Sequence, residues 1–168
     1  PVEDNFFDAI DSDIKYKEFV RIKDGCISHD ELLIVACKMF EKYKKLCTLT
    51  KDSYPLIFAD EYQDTDPRVV KLLLKHLNIS PKNNIVGFFG DAMQSIYPDS
   101  VGDLNEYLVE VPPRITEVKK VQNRRNPIVV INLANKIRND GLVQEPSDDS
   151  SAPNMNVDGT AKQGRALF

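Results

Sequence analysis

Two short apolar runs organise the chain, Leu56-Ile57-Phe58-Ala59 and Ile85-Val86-Gly87-Phe88-Phe89, and each stops abruptly at polar residues. Continuous apolar runs of this length predict buried strands of a parallel sheet, because helices on both faces leave no side chain for water. Helical periodicity fills the sequence around them. Ser28 and Glu31 have the spacing of a capping box, and Leu32, Val35, Ala36, Met39, Phe40 and Tyr43 continue one apolar stripe to about Leu46, which assigns Met39 and Phe40 to the core. Asp66 and Pro67 predict an N-cap and a first-turn proline, after which Val69, Val70, Leu72, Leu73, Leu74 and Leu77 carry a helix to Asn78. A turn follows over residues 79–84, and a short helix is expected from Asp103 to Leu108, stopped by Pro112-Pro113. Ile115 to Val121 reads as a third strand. Pro127 then opens a helix whose buried side is Ile128, Val129, Ile131, Leu133, Ala134 and Ile137, ending near Asp140-Gly141. Strands alternating with helices predict an α/β fold with parallel pairing.

The segments outside this frame are weaker. Residues 1–27 are mixed and acidic, with apolar residues from Phe6 to Phe19 spaced for a short helix, and they read as the end of a preceding or inserted element. Residues 143–160 are rich in Glu, Pro, Ser, Asp, Asn and Gly, the composition of a linker or mobile loop. Asp148, Asp149 and Asp158 lack the spacing and terminal Glu of an EF-hand, so a solvated loop is expected there. Ala166-Leu167-Phe168 resembles the start of a strand. His76, without a second candidate ligand, is expected at the surface or as a helix C-terminal dipole partner.

The polar residues at the two strand ends carry the candidate chemistry. Asp60 and Glu61 follow Ala59 directly, where ligands gather in an open α/β sheet. Adjacent carboxylates there make sense if a Mg²⁺ ion satisfies one and a water is activated by the other. The second run delivers Asp91, Gln94 and Ser95 to its own end, followed by Tyr97.

Composition narrows the possibilities. At 168 residues, 42% apolar and 29% charged, the chain has the size and balance of about one globular domain. No apolar run approaches the roughly 20 residues needed to span a bilayer, and Cys26, Cys37 and Cys47 are too widely spaced for a CxxC pair, so reduced thiols in a reducing, intracellular compartment are expected. A net charge of −4 excludes bulk electrostatic coating of nucleic acid. Between Arg114 and Arg138, however, seven cations face Glu117 alone, which is either a solvated basic face or a local contact surface. The chain begins at Pro1 without a signal segment and reads as an excised piece of something longer.

Three motifs, in order, carry a family resemblance. Asp60-Glu61-Tyr62-Gln63-Asp64-Thr65, Gly90-Asp91-Ala92-Met93-Gln94-Ser95-Ile96-Tyr97, and Asn123-Arg124-Arg125-Asn126 with Ala134-Asn135-Lys136-Ile137 together resemble superfamily 1 DNA helicases of the UvrD, Rep and PcrA type. The resemblance covers about Ser28 to Asn139. It implies a partial RecA-like P-loop NTPase fold, with residues 28–113 forming the later half of the first motor domain and residues 114–168 the start of the second, including the polar loop at 143–160. It implies ATP and Mg²⁺ as cofactors and single-stranded or partly duplex DNA as partner, in a cytoplasmic, DNA-associated protein. By resemblance, Asp60 would hold Mg²⁺ as the Walker B aspartate, and Glu61 would orient and deprotonate the attacking water. Gln63 and Asp64 would link the nucleotide site to its neighbours, and Gln94 would sense the γ-phosphate. Arg125 would act as an arginine finger, and Tyr97 would stack on a DNA base.

Plainer readings exist for several of these residues: Tyr97 as cover for a strand end, Gln63 and Asp64 as capping and turn residues, and Arg125 as one member of the basic face. The chain also departs from the pattern. Arg124 stands where the family has an adenine-packing tyrosine, and Pro98-Asp99-Ser100 replaces the usual arginine-glycine continuation after Tyr97. No GxxxxGK[ST] occurs in these residues, so the phosphate-loop strand is absent and the chain alone is not expected to hydrolyse ATP. The primary expectation is a fragment of an ATP-driven DNA helicase or translocase. The alternatives are a degenerate helicase-like module that binds DNA or protein without catalysis and, ranked last, a two-metal nuclease built on Asp60, Glu61, Asp64 and Asp91.

Overall fold

The computed structural model describes residues 13–110 and 114–164 and divides the chain into two units, with the boundary between Leu104 and Asn105. In the first unit, β1 (Lys15–Tyr16) pairs in parallel with β2 (Cys26–Ile27). The short helix expected near the N-terminus lies largely outside the described residues, and within them Lys15 and Tyr16 are extended.

Helix α1 (His29–Lys42) starts where the capping box places it: the Ser28 amide donates to the Glu31 carboxylate at 3.1 Å, and the Ser28 hydroxyl donates to the same carboxylate. That hydroxyl holds the Glu31 carboxyl below its ordinary pKa. The helix does not run on to Leu46. Tyr43 leaves helical geometry at φ −110°, ψ 90°, and a separate helix α2 (Lys44–Ser53) follows, with neither glycine nor proline marking the break. Met39, expected in the core, is exposed, and Phe40 is half-buried. The apolar stripe of α1 is wider than the surface available to cover it among the described residues.

Strand β3 (Leu56–Ala59) and strand β4 (Ile85–Phe88) form the expected parallel pair, in register from Leu56 opposite Ile85 to Ala59 opposite Phe88. Burial on both faces does not follow. Leu56, Phe58 and Ile85 on one face are more than half exposed, because among the described residues nothing covers that face of a two-stranded sheet.

The connection between the strands is helix α3 (Pro67–Lys71), which widens into a π-type turn at Leu72–His76 and tightens into a 3₁₀ turn at Leu77–Ile79. Asp66 caps it by accepting the Arg68 amide at 2.8 Å. Val70, Leu74 and Leu77, at i, i+4 and i+7, are the buried stripe. His76 is buried too, which corrects the surface placement expected for it: the widened turn rotates it onto the inner side. Helix α2 packs on this end of the connection. Cys47 is fully buried with its Sγ donating to the Phe40 and His76 carbonyls, and Lys51, also buried, donates its ammonium to the carbonyls of Ser80 (3.3 Å) and Lys82 (2.9 Å).

In the second unit, α4 (Asn105–Leu108) precedes β5 (Gln122–Asn123), α5 (Ile128–Ile137) and β6 (Glu145–Pro146), with β5 and β6 parallel. The strand expected at residues 115–121 does not form a ladder. Pairing begins only at its end, where the Val121 carbonyl accepts the Glu145 amide at 2.9 Å, and it continues one step further, with the Asn123 carbonyl accepting the Ser147 amide at 3.1 Å past Pro146. Val118 is 87% exposed as a result. The stretch 143–160 is not a bare linker: it supplies β6 and buries Ser147, Ala152 and Asn154. Pro112-Pro113 and Ala166-Leu167-Phe168 lie outside the described residues.

Candidate functional site

The parallel register of β3 and β4 brings their carboxyl ends side by side, so the polar residues that follow each strand become neighbours. After Ala59 the chain must turn sharply. Asp60 is exposed and its Oδ1 accepts the Glu61 amide at 3.0 Å, and Glu61 takes φ 49°, ψ 47°. Glu61 is the one non-glycine residue in the left-handed region among those described. A side chain there costs on the order of 1–2 kcal/mol and persists only when its surroundings over-determine it. The turn then tightens into a 3₁₀ segment at Tyr62–Asp64.

Gln63 supplies much of that determination. Its side chain is 1% exposed; Nε2 donates to Glu61 Oε2 at 2.8 Å, and Oε1 accepts the Asp91 amide at 3.1 Å. A single buried amide therefore ties the carboxylate after the first strand to the backbone after the second. Its own carbonyl accepts the Gly102 amide at 3.1 Å and the Ser95 hydroxyl at 3.4 Å. The backbone reinforces the tie: the Tyr62 amide donates to the Phe89 carbonyl at 3.1 Å, and the Tyr62 ring meets Phe88 edge-on. Gly90 makes room for all of this. A Cβ there would stand 2.2 Å from Gln63 Oε1 and 3.0 Å from the Tyr62 backbone nitrogen.

Asp91 is the second hub. Its carboxylate accepts the Met93 amide at 3.1 Å through Oδ1 and the Gln94 side-chain amide at 3.0 Å through Oδ2. Glu61, Gln63, Asp91 and Gln94 thus form one hydrogen-bonded series across the two strand ends. Asp64 lies outside that series and accepts the Ile96 amide at 3.4 Å. Tyr97 stands beyond, 60% exposed, on a turn closed by Ser100 donating to the Tyr97 carbonyl. Of the residues singled out in the sequence, the structure brings Asp60, Glu61, Gln63, Asp64 and Gln94 together. The bridging role of Asp91 and the need for glycine at position 90 go beyond what the motifs imply. A glycine placed directly between a strand and a polar cluster was the available signal.

The donor set suits a hard cation rather than a soft one. Asp60 and Glu61 are exposed hard carboxylates, and no group of three or more His, Cys, Asp or Glu poised for a metal occurs among the described residues. Mg²⁺ fits this pattern, since it is held by one or two carboxylates and completes its shell with water and phosphate oxygens.

Arg124 and Arg125 lie in the second unit, on the turn between β5 and α5, and both are exposed. Asn123 Oδ1 shapes the turn by accepting the amides of Arg125 (3.1 Å) and Asn126 (2.9 Å). Arg124 is engaged in an ion pair with Asp149. The Ser151 hydroxyl and amide, followed by Arg124, lower the Asp149 carboxyl to a pKa of about 2. No helix among the described residues is long and apolar enough to cross a membrane.

The chain is similar to known proteins over the stretch that holds these strand ends. The chain is similar to the Gabija protein GajB of Bacillus cereus (strain HuB5-5), 41% identical over 122 residues that cover 70% of this chain and 17% of that protein. It is also similar to the ATP-dependent DNA helicase PcrA of Bacillus subtilis (strain 168), at 25% identity over 88% of this chain and 20% of the relative. A third match is the RecBCD enzyme subunit RecB of Buchnera aphidicola, 35% identical over 51% of this chain and 7% of that subunit. The chain therefore spans a fifth or less of the length of these relatives. The family model for the UvrD/REP helicase N-terminal domain matches residues 6–108, the stretch that contains both strand ends and the buried glutamine between them, and with more than half its length so matched the chain belongs to the UvrD/REP helicase family.

Proposed function

We propose that this chain is a section of an ATP-dependent DNA helicase or translocase, in which residues 28–113 form the later half of one RecA-like motor domain and residues 114–168 open the next. The observation that carries this reading is the buried Gln63 bridge, which orients Glu61 and fixes it to the Asp91–Gln94 turn. A carboxylate held through one oxygen leaves the other directed at a water, which is what a general base in phosphoryl transfer requires.

Asp60 would hold Mg²⁺ against the nucleotide, where the ion would neutralise charge on the phosphates, and Glu61 would orient and deprotonate the attacking water. Gln94 would exchange its bond to Asp91 for one to the γ-phosphate, so that the series back to Glu61 reports the nucleotide state. Arg125 would supply a cation to the phosphates, and Tyr97, held exposed on its turn, would stack on a base of single-stranded DNA. The relatives named for ATP-dependent DNA helicase activity support ATP and DNA as the ligands. The phosphate-binding loop would come from another part of the protein, because none occurs in these residues.

One observation favours a second reading. Arg124, in place of an adenine-packing tyrosine, is tied to Asp149, as expected of a degenerate module kept for binding. Glu61→Gln in the full-length protein separates the two. A motor keeps ATP binding and loses DNA-stimulated turnover by 100-fold or more, whereas a binding module keeps its function unchanged.

A further inference from the structure

The polar stretch after β6 does something its composition does not announce. Asn154 is 2% exposed, although every other polar residue from Asp148 to Ser151 and from Asn156 to Thr160 is at least partly exposed. Its Nδ2 donates to two backbone carbonyls of the arginine turn, Asn123 at 2.7 Å and Asn126 at 3.0 Å. These two carbonyls bracket Arg124 and Arg125. The orientation of the amide is unambiguous, since the flipped form would set an oxygen against both carbonyls.

The arrangement carries a cost. With both hydrogens committed to the turn, Asn154 Oδ1 is buried without a hydrogen-bond partner among the described residues. Leaving a buried acceptor unmatched is destabilising, and such groups call for an explanation other than stability. Asn154 is itself fixed at the backbone: its carbonyl accepts the Lys162 amide at 2.8 Å, and the carbonyls of Lys162 and Gln163 accept the first amides of α5, from Ile128 (2.9 Å) and Val129 (3.2 Å). One loop therefore grips both the turn that carries Arg125 and the start of the helix that follows it.

We propose that Asn154 is a positioning residue for Arg125, a side-chain clamp that fixes the backbone on both sides of the arginine so that its guanidinium is presented in one direction. The proposal rests on the reading of Arg125 as the phosphate-contacting cation and acts only through it. A guanidinium that contacts a phosphate on a long, flexible side chain loses less freedom when its Cα is fixed, and that advantage appears in the transition state rather than in ground-state binding.

The test uses the full-length protein and single-stranded-DNA-stimulated ATP turnover, with Arg125→Ala as reference. Asn154→Ala is expected to lower kcat about tenfold with KM for ATP within twofold. Asn154→Asp keeps shape and volume but turns oxygens toward both carbonyls, and it is expected to lose at least as much, which keeps the question answerable if the alanine variant folds poorly. In the Arg125→Ala background neither substitution should lower kcat further, because a residue that acts through Arg125 has nothing left to position. A general packing role would make the losses multiply. Turnover within twofold of the parent for both Asn154 variants, or losses that multiply with that of Arg125→Ala, overturns the proposal. If Arg125→Ala itself retains full turnover, the finger reading fails first, and the clamp falls with it for that separate reason.

Discussion

Replacing Gln63 by Leu is the sharpest probe of the site, because it preserves volume and apolar contact while deleting both arms of the bridge. Two hydrogen bonds are lost. The bond to the Glu61 carboxylate is charge-assisted, a class worth about 1.5–3 kcal/mol, and since Glu61 is exposed and can bond to water instead, the low end of that range applies. The bond from the half-buried Asp91 amide contributes about 1 kcal/mol, and removing a buried amide returns a desolvation cost of similar size. Overall stability should therefore fall by only about 1 kcal/mol. The local consequence is larger. About 1.4 kcal/mol of restraint on the Glu61 carboxylate corresponds to a tenfold change in the population of its held orientation, so kcat for ATP should drop about tenfold with KM within twofold. Steady-state ATPase of the full-length protein with saturating single-stranded DNA reads this directly. Gln63→Leu should add nothing to Glu61→Gln, because the bridge works through that carboxylate. Turnover of Gln63→Leu within twofold of the parent, or a further loss in the Glu61→Gln background, would refute the idea that Gln63 orients the general base.

Other consequences follow from the same geometry. Gly90→Ala drives a methyl against Gln63 Oε1 and the Tyr62 backbone; overpacking costs about 1–3 kcal/mol, so hydrogen exchange of the Tyr62 and Asp91 amides should quicken while amides of α2 are unaffected, and unchanged exchange at both sites counts against the model of the turn. Asp66→Asn keeps the cap but loses the Arg68 ion pair, and Arg68 holds the Asp66 carboxyl below its ordinary pKa. The stability difference between parent and variant should be full at neutral pH, shrink as the pH falls below the usual carboxylate range, and vanish below the depressed pKa; a difference constant with pH is the contrary result. Lys51→Met strands the Ser80 and Lys82 carbonyls, which at about 1 kcal/mol or more each should lower the melting temperature by several degrees without altering KM for ATP, and an unchanged melting temperature contradicts it.

The legible parts of the sequence were those where one local signal decides the structure. Ser28 with Glu31, Asp66 with Pro67, and the two apolar runs each specify an element without reference to distant residues, and each element begins where expected. Errors arose where tertiary surroundings decide. Leu56, Phe58 and Met39 are apolar enough for a core, yet nothing among the described residues covers them. His76 looks like a surface residue until the helix widens and turns it inward. The apparent strand at Ile115–Val121 has the right residues but, among the described residues, no ladder partner before Val121, and residues 143–160 have the composition of a linker yet supply a strand and bury Asn154 against the arginine turn. The carboxylates, glutamines and arginines of the candidate site were visible as motifs. Which atoms they bond was not, because Gln63 reaches Asp91 across 28 positions of sequence and Asn154 reaches Asn123 across 31.

The two buried amides solve the same physical problem at different places. A charged group that must meet a phosphate or a water has to be exposed, and exposure leaves its side chain free to wander. Burying the charge would restrain it at a large desolvation cost. The chain instead buries a neutral neighbour: Gln63 beside the exposed Glu61, and Asn154 beneath the turn that carries the exposed Arg125. A neutral amide loses far less on leaving water than a carboxylate or guanidinium does, and it can grip two partners at once. The left-handed backbone at Glu61 and the unmatched Asn154 Oδ1 are the residual costs of that arrangement. Their location, one on the turn that carries Glu61 and the other directly against the turn that carries Arg125, is what argues that both turns are built for orientation rather than for stability.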